Sequence, residues 1–239
     1  MDPHDPFVPN YVAPTTARPL LGLTILVIED SRFACEAMRL LCLRSGARIR
    51  RADSLKAANR HLKVYRPSVT IIDLGLPDGS GADLIADLVT ATPRPDVIIG
   101  ISGDPAGEET ALAAGADGFM AKPITALATF QNAILSLLPA DRQPSGPRPV
   151  TDEMVEPDPI AFRDDMAHIA DVLDEPADDS ALDYVAQFLG GVARSADDNA
   201  LEKAAKALAE KRASGAAATS EKAIIAGLVQ ERLTHKLAI

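Results

Sequence analysis

Tryptophan is absent from this 239-residue chain, and aromatic residues together make up 4% of it. A core must therefore be built from aliphatic side chains, which a hydrophobic content of 47% can supply. No apolar run approaches the ~20 residues that a membrane-spanning helix needs. The opening stretch, "MDPHDPFVPNYVAPTTARPLLG", carries acid and repeated proline where a secretion signal would carry basic and then apolar residues. Residues 1–21 read as an extended arm, disordered or docked, and the chain as cytoplasmic with no membrane partner. Cysteine is scarce too. Cys35 and Cys42 lie seven positions apart on one expected helix. That separates them by roughly 10 Å, beyond the Cα separation of about 7 Å that a disulfide tolerates. They read as core thiols. The four histidines are scattered, and no metal-ligand spacing of Cys and His occurs.

Positive charge is also short, but unevenly so. Residues 1–150 hold 16 acidic and 15 basic side chains, whereas residues 151–239 hold 18 and 9. The C-terminal part thus carries −9 of the net −10. A surface of that sign repels phosphate backbones, so no nucleic-acid partner is expected there.

What the chain does have is a regular alternation. Apolar strands are expected at 23–29, 47–52, 68–73, 96–102 and 118–122, with amphipathic helices near 31–45, 54–66, 81–91, 106–115 and 124–138. Strands one, three and four are apolar almost throughout, as parallel strands covered on both faces should be. The second carries three arginines and reads as an edge. A repeated βα alternation predicts an α/β fold with a doubly wound parallel sheet over residues 22–139. Residues 140–159 are proline-rich and polar, a linker composition. Residues 160–239 show four helical stripes, led by Phe162, Leu182, Leu201 and Ile225, rich in alanine and poor in large side chains. They predict a separate acidic all-α region, marginal by itself, that needs a partner, a second copy or the α/β surface. No phosphate loop, metal cluster or nucleophile–base motif occurs in it, and no enzymatic output is expected.

In such a sheet every strand delivers its C-terminal end to one edge, where ligands bind. Strand one ends in Glu29–Asp30, strand three in Asp73, strand four in Ser102 and strand five in Lys122–Pro123. Taken singly, Asp30 or Asp73 could cap the next helix and Lys122 could be solvated. Together they make a cluster of carboxylates that repel unless a cation sits among them. Mg²⁺, a hard ion with oxygen ligands, suits that place. Lys122 suits an anion beside it.

These residues stand in the motifs "VIEDSR", "IIDLGLPDGSG", "IGISG" and "GADGFMAKP", and in that order the chain resembles the receiver domains of two-component response regulators. The resemblance covers residues 22–139. It implies a flavodoxin-like (βα)₅ fold with strand order 2-1-3-4-5. It implies Asp73 as the phosphoacceptor, served by a histidine kinase or histidine phosphotransfer protein. Asp30, Asp73 and the carbonyl of Gly75 would ligate Mg²⁺, with Glu29 acting through water. Lys122 would hold the phosphoryl oxygens, and Ser102 and Phe119 would form the switch. The spacing from Ser102 to Lys122 is shorter than usual for the family, which predicts a trimmed fourth helix or loop. His168, in "MAHIADVL", lacks the residues that follow a phosphotransfer histidine and reads as an ordinary helix-surface side chain. The expected function is a response regulator that switches protein contacts, or self-association, through residues 160–239. The alternatives are a phosphorelay intermediate or phosphate sink, and control of an unrecognised enzymatic output.

Overall fold

The computed structural model describes residues 13–147, 151–174 and 179–234. Its first half runs β1 (Thr24–Ile28), α1 (Arg32–Ser45), β2 (Arg48–Ala52), α2 (Leu55–Val64) and β3 (Val69–Asp73). A short hairpin follows, β4 (Gly75–Leu76) with β5 (Gly79–Ser80), then α3 (Gly81–Thr90), β6 (Val97–Ser102), α4 (Gly107–Ala113), β7 (Gly118–Ala121) and α5 (Leu127–Leu135). The five long strands form one sheet in the order β2-β1-β3-β6-β7, every pair parallel. With the hairpin set aside, that is the predicted order. β3 and β6 are buried throughout, and β1 in all but its first residue. The edge strand β2 exposes its three arginines.

Helices cover both faces of the sheet. Met38 and Leu41 of α1 pack with Phe130 and Ile134 of α5 against Ile25, Val27 and Ile99. On the other face, Ala57, Ala58, Ile85 and Ala111 pack against Leu26, Ile28, Ile72 and Ile98. Local signals start and stop the helices. The Ser31 hydroxyl accepts from the Ala34 amide at the head of α1, and Gly46, at φ 83°, closes its far end through left-handed backbone. Cys35 and Cys42 are both buried on α1 and unbridged. Burial pushes the Cys42 thiol up to about 12, so it stays protonated. α4 spans seven residues, the expected trimming.

Residues 1–12 of the predicted arm lie outside the described residues. The rest of it is not extended. Thr15 and Arg18 exchange backbone hydrogen bonds in a turn, and Leu20 is fully buried in the core. Burying that one leucine contributes roughly 1.5–3 kcal/mol, enough to hold the turn down. The predicted linker is also partly docked. Residues 148–150 lie outside the described residues, but Met154 bridges Ala126, and Val155 is buried with its amide bonded to the Thr125 carbonyl. Val155 is an apolar residue among prolines and acids, and the core beside α5 accepts it.

The second half is four helices, α6 (Pro159–Asp174), α7 (Asp179–Ser195), α8 (Asn199–Ala213) and α9 (Thr219–Thr234). Their predicted stripes meet in one core containing Met166, Ile169, Val185, Leu189, Leu201, Ile225 and Val229. Asp198 caps α8 through the Leu201 amide and holds Arg232 of α9 at 2.6 Å. Of the covers expected for this region, the α/β surface is the one found. α6 and α7 pack onto α1 and onto the strand-end edge, because the bundle's few large side chains leave it a face that the α/β unit can cover. Among the described residues no helix is long and apolar enough to cross a membrane.

Candidate functional site

Parallel pairing from β2 to β7 brings the strand ends together. Glu29, Asp30 and Asp73 each place a carboxylate oxygen within 4.8 Å of the other two. The Lys122 ammonium lies 2.6 Å from Glu29 Oε2 and donates to Asp73 Oδ2 at 2.8 Å. A solvated lysine is thereby ruled out, and so is Asp73 as a simple helix cap. Asp73 Oδ1 accepts weakly from the Gly75 amide at 3.3 Å. Glu29 Oε1 accepts from the Ser31 amide at 3.1 Å. The loop that carries Asp73 is tight, since a Cβ on Gly81 would stand 1.9 Å from the Asp73 carbonyl oxygen.

The electrostatics follow from burial. Glu29 is 1% exposed, and loss of water raises its carboxyl well above the usual range, with Lys122 pulling the other way. Asp30 rises to about 6, chiefly through burial and then the charge of Asp73. Burial works to lower Lys122, but the carboxylates of Asp73 and Glu29 outweigh it and hold the ammonium charged. One ammonium cannot neutralise three carboxylates. The cluster has room in charge, and the right hard oxygen donors, for one dication.

Ser102 is buried at the end of β6, and its hydroxyl accepts from the Asp104 amide at 3.0 Å. Phe119 is half-buried with its ring turned to the same place. A Cβ on Gly107 would meet Ser102 Oγ at 3.1 Å and Phe119 Cζ at 3.2 Å. The two predicted switch residues are therefore neighbours across Gly107.

Residues 25–134 match the family model described as "Response regulator receiver domain". Residues 25–134 are a receiver domain. Curated relatives agree. The KDP operon transcriptional regulatory protein KdpE of Escherichia coli (strain K12) is 30% identical over 99 residues, covering 41% of this chain and 44% of that one. The KdpE transcriptional regulatory protein of Mycobacterium tuberculosis is 33% identical over the same length, with the same coverage. The chain thus spans less than half the length of these relatives. Among solved structures, a putative response regulator from Chloroflexus aurantiacus J-10-fl aligns over 48% of this chain and 96% of its own, with 23% identity and a TM-score of 0.46.

The receiver pocket is partly covered by the bundle. Asp165 of α6, 1% exposed, caps α1 across the junction. It accepts from the Ser31 hydroxyl at 2.7 Å and from the Arg32 and Phe33 amides at 2.8 and 3.1 Å. These amides are among the donors that a helix start leaves without partners. Phe162 meets Phe33 edge-on at 5.8 Å. From α7, the Tyr184 hydroxyl donates to Asp30 Oδ2 at 2.8 Å. The phenol has one proton and gives it to Asp30. His168 Nε2, 2.9 Å from the same oxygen, must therefore be the donor to it. His168 lies exposed on the helix surface, as expected, and also meets Phe188 edge-on. Arg194 donates to the Gly103 carbonyl, beside Ser102, and pairs with Glu202. Between receiver and bundle lies a cavity of about 770 Å³ that includes Asp73, Ser102 and Lys122 on one wall and Gln187, Gly191 and Arg194 on the other.

Asp165, Tyr184, Gln187 and Arg194 were not legible as site residues. Asp165 left one trace, an acid immediately before Met166 in an apolar stripe. Burial pushes its carboxyl up to about 6, against the bonds from Ser31, Arg32 and Phe33 that favour the charged form. Its charged neighbours are Arg32, Asp164 and, through Ser31, Glu29. The docked state then binds this proton more tightly than a released bundle does. The resulting stabilisation of docking is full below the ordinary value of 3.8 and lost as pH rises through about 6. Protection of the Arg32 and Phe33 amides, corrected for intrinsic exchange, is expected to rise as pH falls from about 7 to about 5. The Asp165→Asn variant should lose that pH response, and an undiminished response there would assign it to another group.

Proposed function

We propose that Asp73 accepts a phosphoryl group from the phosphohistidine of a histidine kinase or phosphotransfer protein, and that this switches protein contacts made by α6–α9. The observation that carries the reading is Lys122 bridging Glu29 and Asp73, with Asp30 beside them, where all the strands end. Asp30, Asp73 and the Gly75 carbonyl would hold Mg²⁺, with Glu29 acting through a water. The donor set fits, being hard oxygens with excess negative charge. When bound, the ion offsets charge on the transferring phosphoryl group and on the carboxylate that attacks it.

An Asp73 carboxylate oxygen attacks phosphorus as the P–N bond to the donor imidazole breaks, leaving an acyl phosphate on the aspartate. Lys122 then trades part of its hold on Asp73 for the new phosphoryl oxygens. Ser102 turns its hydroxyl from the Asp104 amide toward them, and Phe119 takes up the space it leaves. Phosphorylation biases an equilibrium that already exists, and the docked bundle is one of its two states.

The output is read as contact with protein. Residues 151–239 carry −9, which opposes binding to a phosphate backbone. The matches to relatives named as transcriptional regulators cover 41% of this chain and 44% of those proteins. Phosphorelay or sink behaviour is the second reading, and the partly covered pocket argues against it as a fast route. The test incubates the full chain with acetyl phosphate and Mg²⁺, then maps the phosphate by mass spectrometry and measures the scattering profile. One phosphate at Asp73 together with an expanded profile is expected. Phosphate elsewhere, or a profile unchanged by full modification, would overturn the reading.

A further inference from the structure

α7 touches the acidic cluster at two points. Its Tyr184 hydroxyl occupies Asp30 Oδ2 at 2.8 Å. Its Gln187 amide lies over Gly75, so close that a Cβ on Gly75 would stand 1.7 Å from Gln187 Nε2. Both receiver residues are ones the proposed cation site needs. Mg²⁺ demands near-octahedral geometry at about 2.0–2.1 Å and keeps several waters. A phenol bonded to one of its carboxylates, with an amide packed over a second ligand, competes for two of the positions that shell needs, although the adjoining cavity has room for water. The Tyr184 ring cannot simply slide aside, because it packs at 5.6 Å against Phe188 and at 6.0 Å against His168.

We propose that α7 gates the cation site, Tyr184 and a divalent cation competing for Asp30, so that filling the cluster loosens the bundle from the receiver before any phosphate arrives. This rests on reading Glu29, Asp30 and Asp73 as the Mg²⁺ site. Linkage makes the effect reciprocal: docking weakens cation binding by the factor by which the cation weakens docking. The released hydroxyl is not stranded, since His168 Nε2 already lies 2.9 Å away and accepts from it once the ring proton moves to Nδ1. Asp165 stays on α1 through its own three bonds. The gate therefore begins at α7 and not at α6.

Calorimetric titration of the full chain with MgCl₂ tests this, wild type against Tyr184→Phe. The variant keeps the ring and loses the bond to Asp30, and it is expected to bind Mg²⁺ about five- to tenfold more tightly. Amide exchange of wild type alone gives a second measurement that needs no variant, and saturating Mg²⁺ should speed exchange around Tyr184 and Gln187. Equal affinities in the two proteins, or exchange in α7 unchanged by saturating Mg²⁺, would sink the gate. Absence of Mg²⁺ binding in both proteins would instead sink the metal reading beneath it.

Discussion

Replacing Asp73 by asparagine is expected to abolish phosphoryl incorporation from either a phosphohistidine protein or acetyl phosphate. The amide has no anionic oxygen to attack phosphorus, and no other carboxylate in the cluster has its position. Asp73 is bonded to Lys122 and to the Gly75 amide. Asp30 is bonded to Tyr184, and Glu29 to Lys122 and the Ser31 amide. The protein should stay folded. Lys122 keeps Glu29 at 2.6 Å, so the buried ammonium is not left alone, which would cost about 3–5 kcal/mol. One fewer negative charge beside Asp30 also relieves the repulsion that raises its carboxyl. Intact-mass measurement after incubation with Mg²⁺ and donor, beside a thermal melt, checks both points. Phosphate retained on Asp73→Asn would remove Asp73 from its assigned role.

Releasing the bundle should have the opposite effect. Asp165→Ala combined with Tyr184→Phe removes all three bonds to the start of α1 and the one to Asp30. Hydrogen bonds to charged groups contribute about 1.5–3 kcal/mol each, and those on a shared carboxylate do not add in full. A docking equilibrium weakened by even about 1.5–3 kcal/mol opens the pocket roughly 10- to 100-fold more often. The initial rate of transfer from a phosphohistidine protein is expected to rise by about that factor. A small donor should gain less, because the cavity of about 770 Å³ already reaches Asp73 with the bundle in place. Initial rates with both donors decide it. If the double variant matched wild type with the protein donor, docking would not control access.

The two variants probe parts of the site that were unequally legible. Asp73 could be read because of where it stands, at the end of a fully buried strand whose neighbours are all parallel. Once the alternation declares a parallel sheet, Glu29, Asp30, Ser102 and Lys122 must share its edge. No side-chain detail is needed for that. Phe119 came from the family resemblance and not from spacing alone, and the structure puts its ring beside Ser102. Tyr184 and Asp165 had no such rule. Their partners lie 154 and 134 residues away, and nothing periodic joins one helix of a bundle to one strand end of a sheet. His168 keeps the helix-surface place expected of it, but its contacts with Tyr184 and Phe188 of the neighbouring helix had no signal in the sequence.

By itself, then, the sequence determined the parallel α/β sheet and the residues on its edge, because period, burial pattern and strand ends are local properties that topology carries into space; the strand order came from the family resemblance its motifs carry. It also determined four C-terminal helices and their apolar stripes. Only the tertiary structure decided that the bundle sits on the pocket. That contact depends on two surfaces matching in shape and bonding at once: a carboxylate meeting the free amides of α1, a phenol meeting Asp30, and Phe162 meeting Phe33.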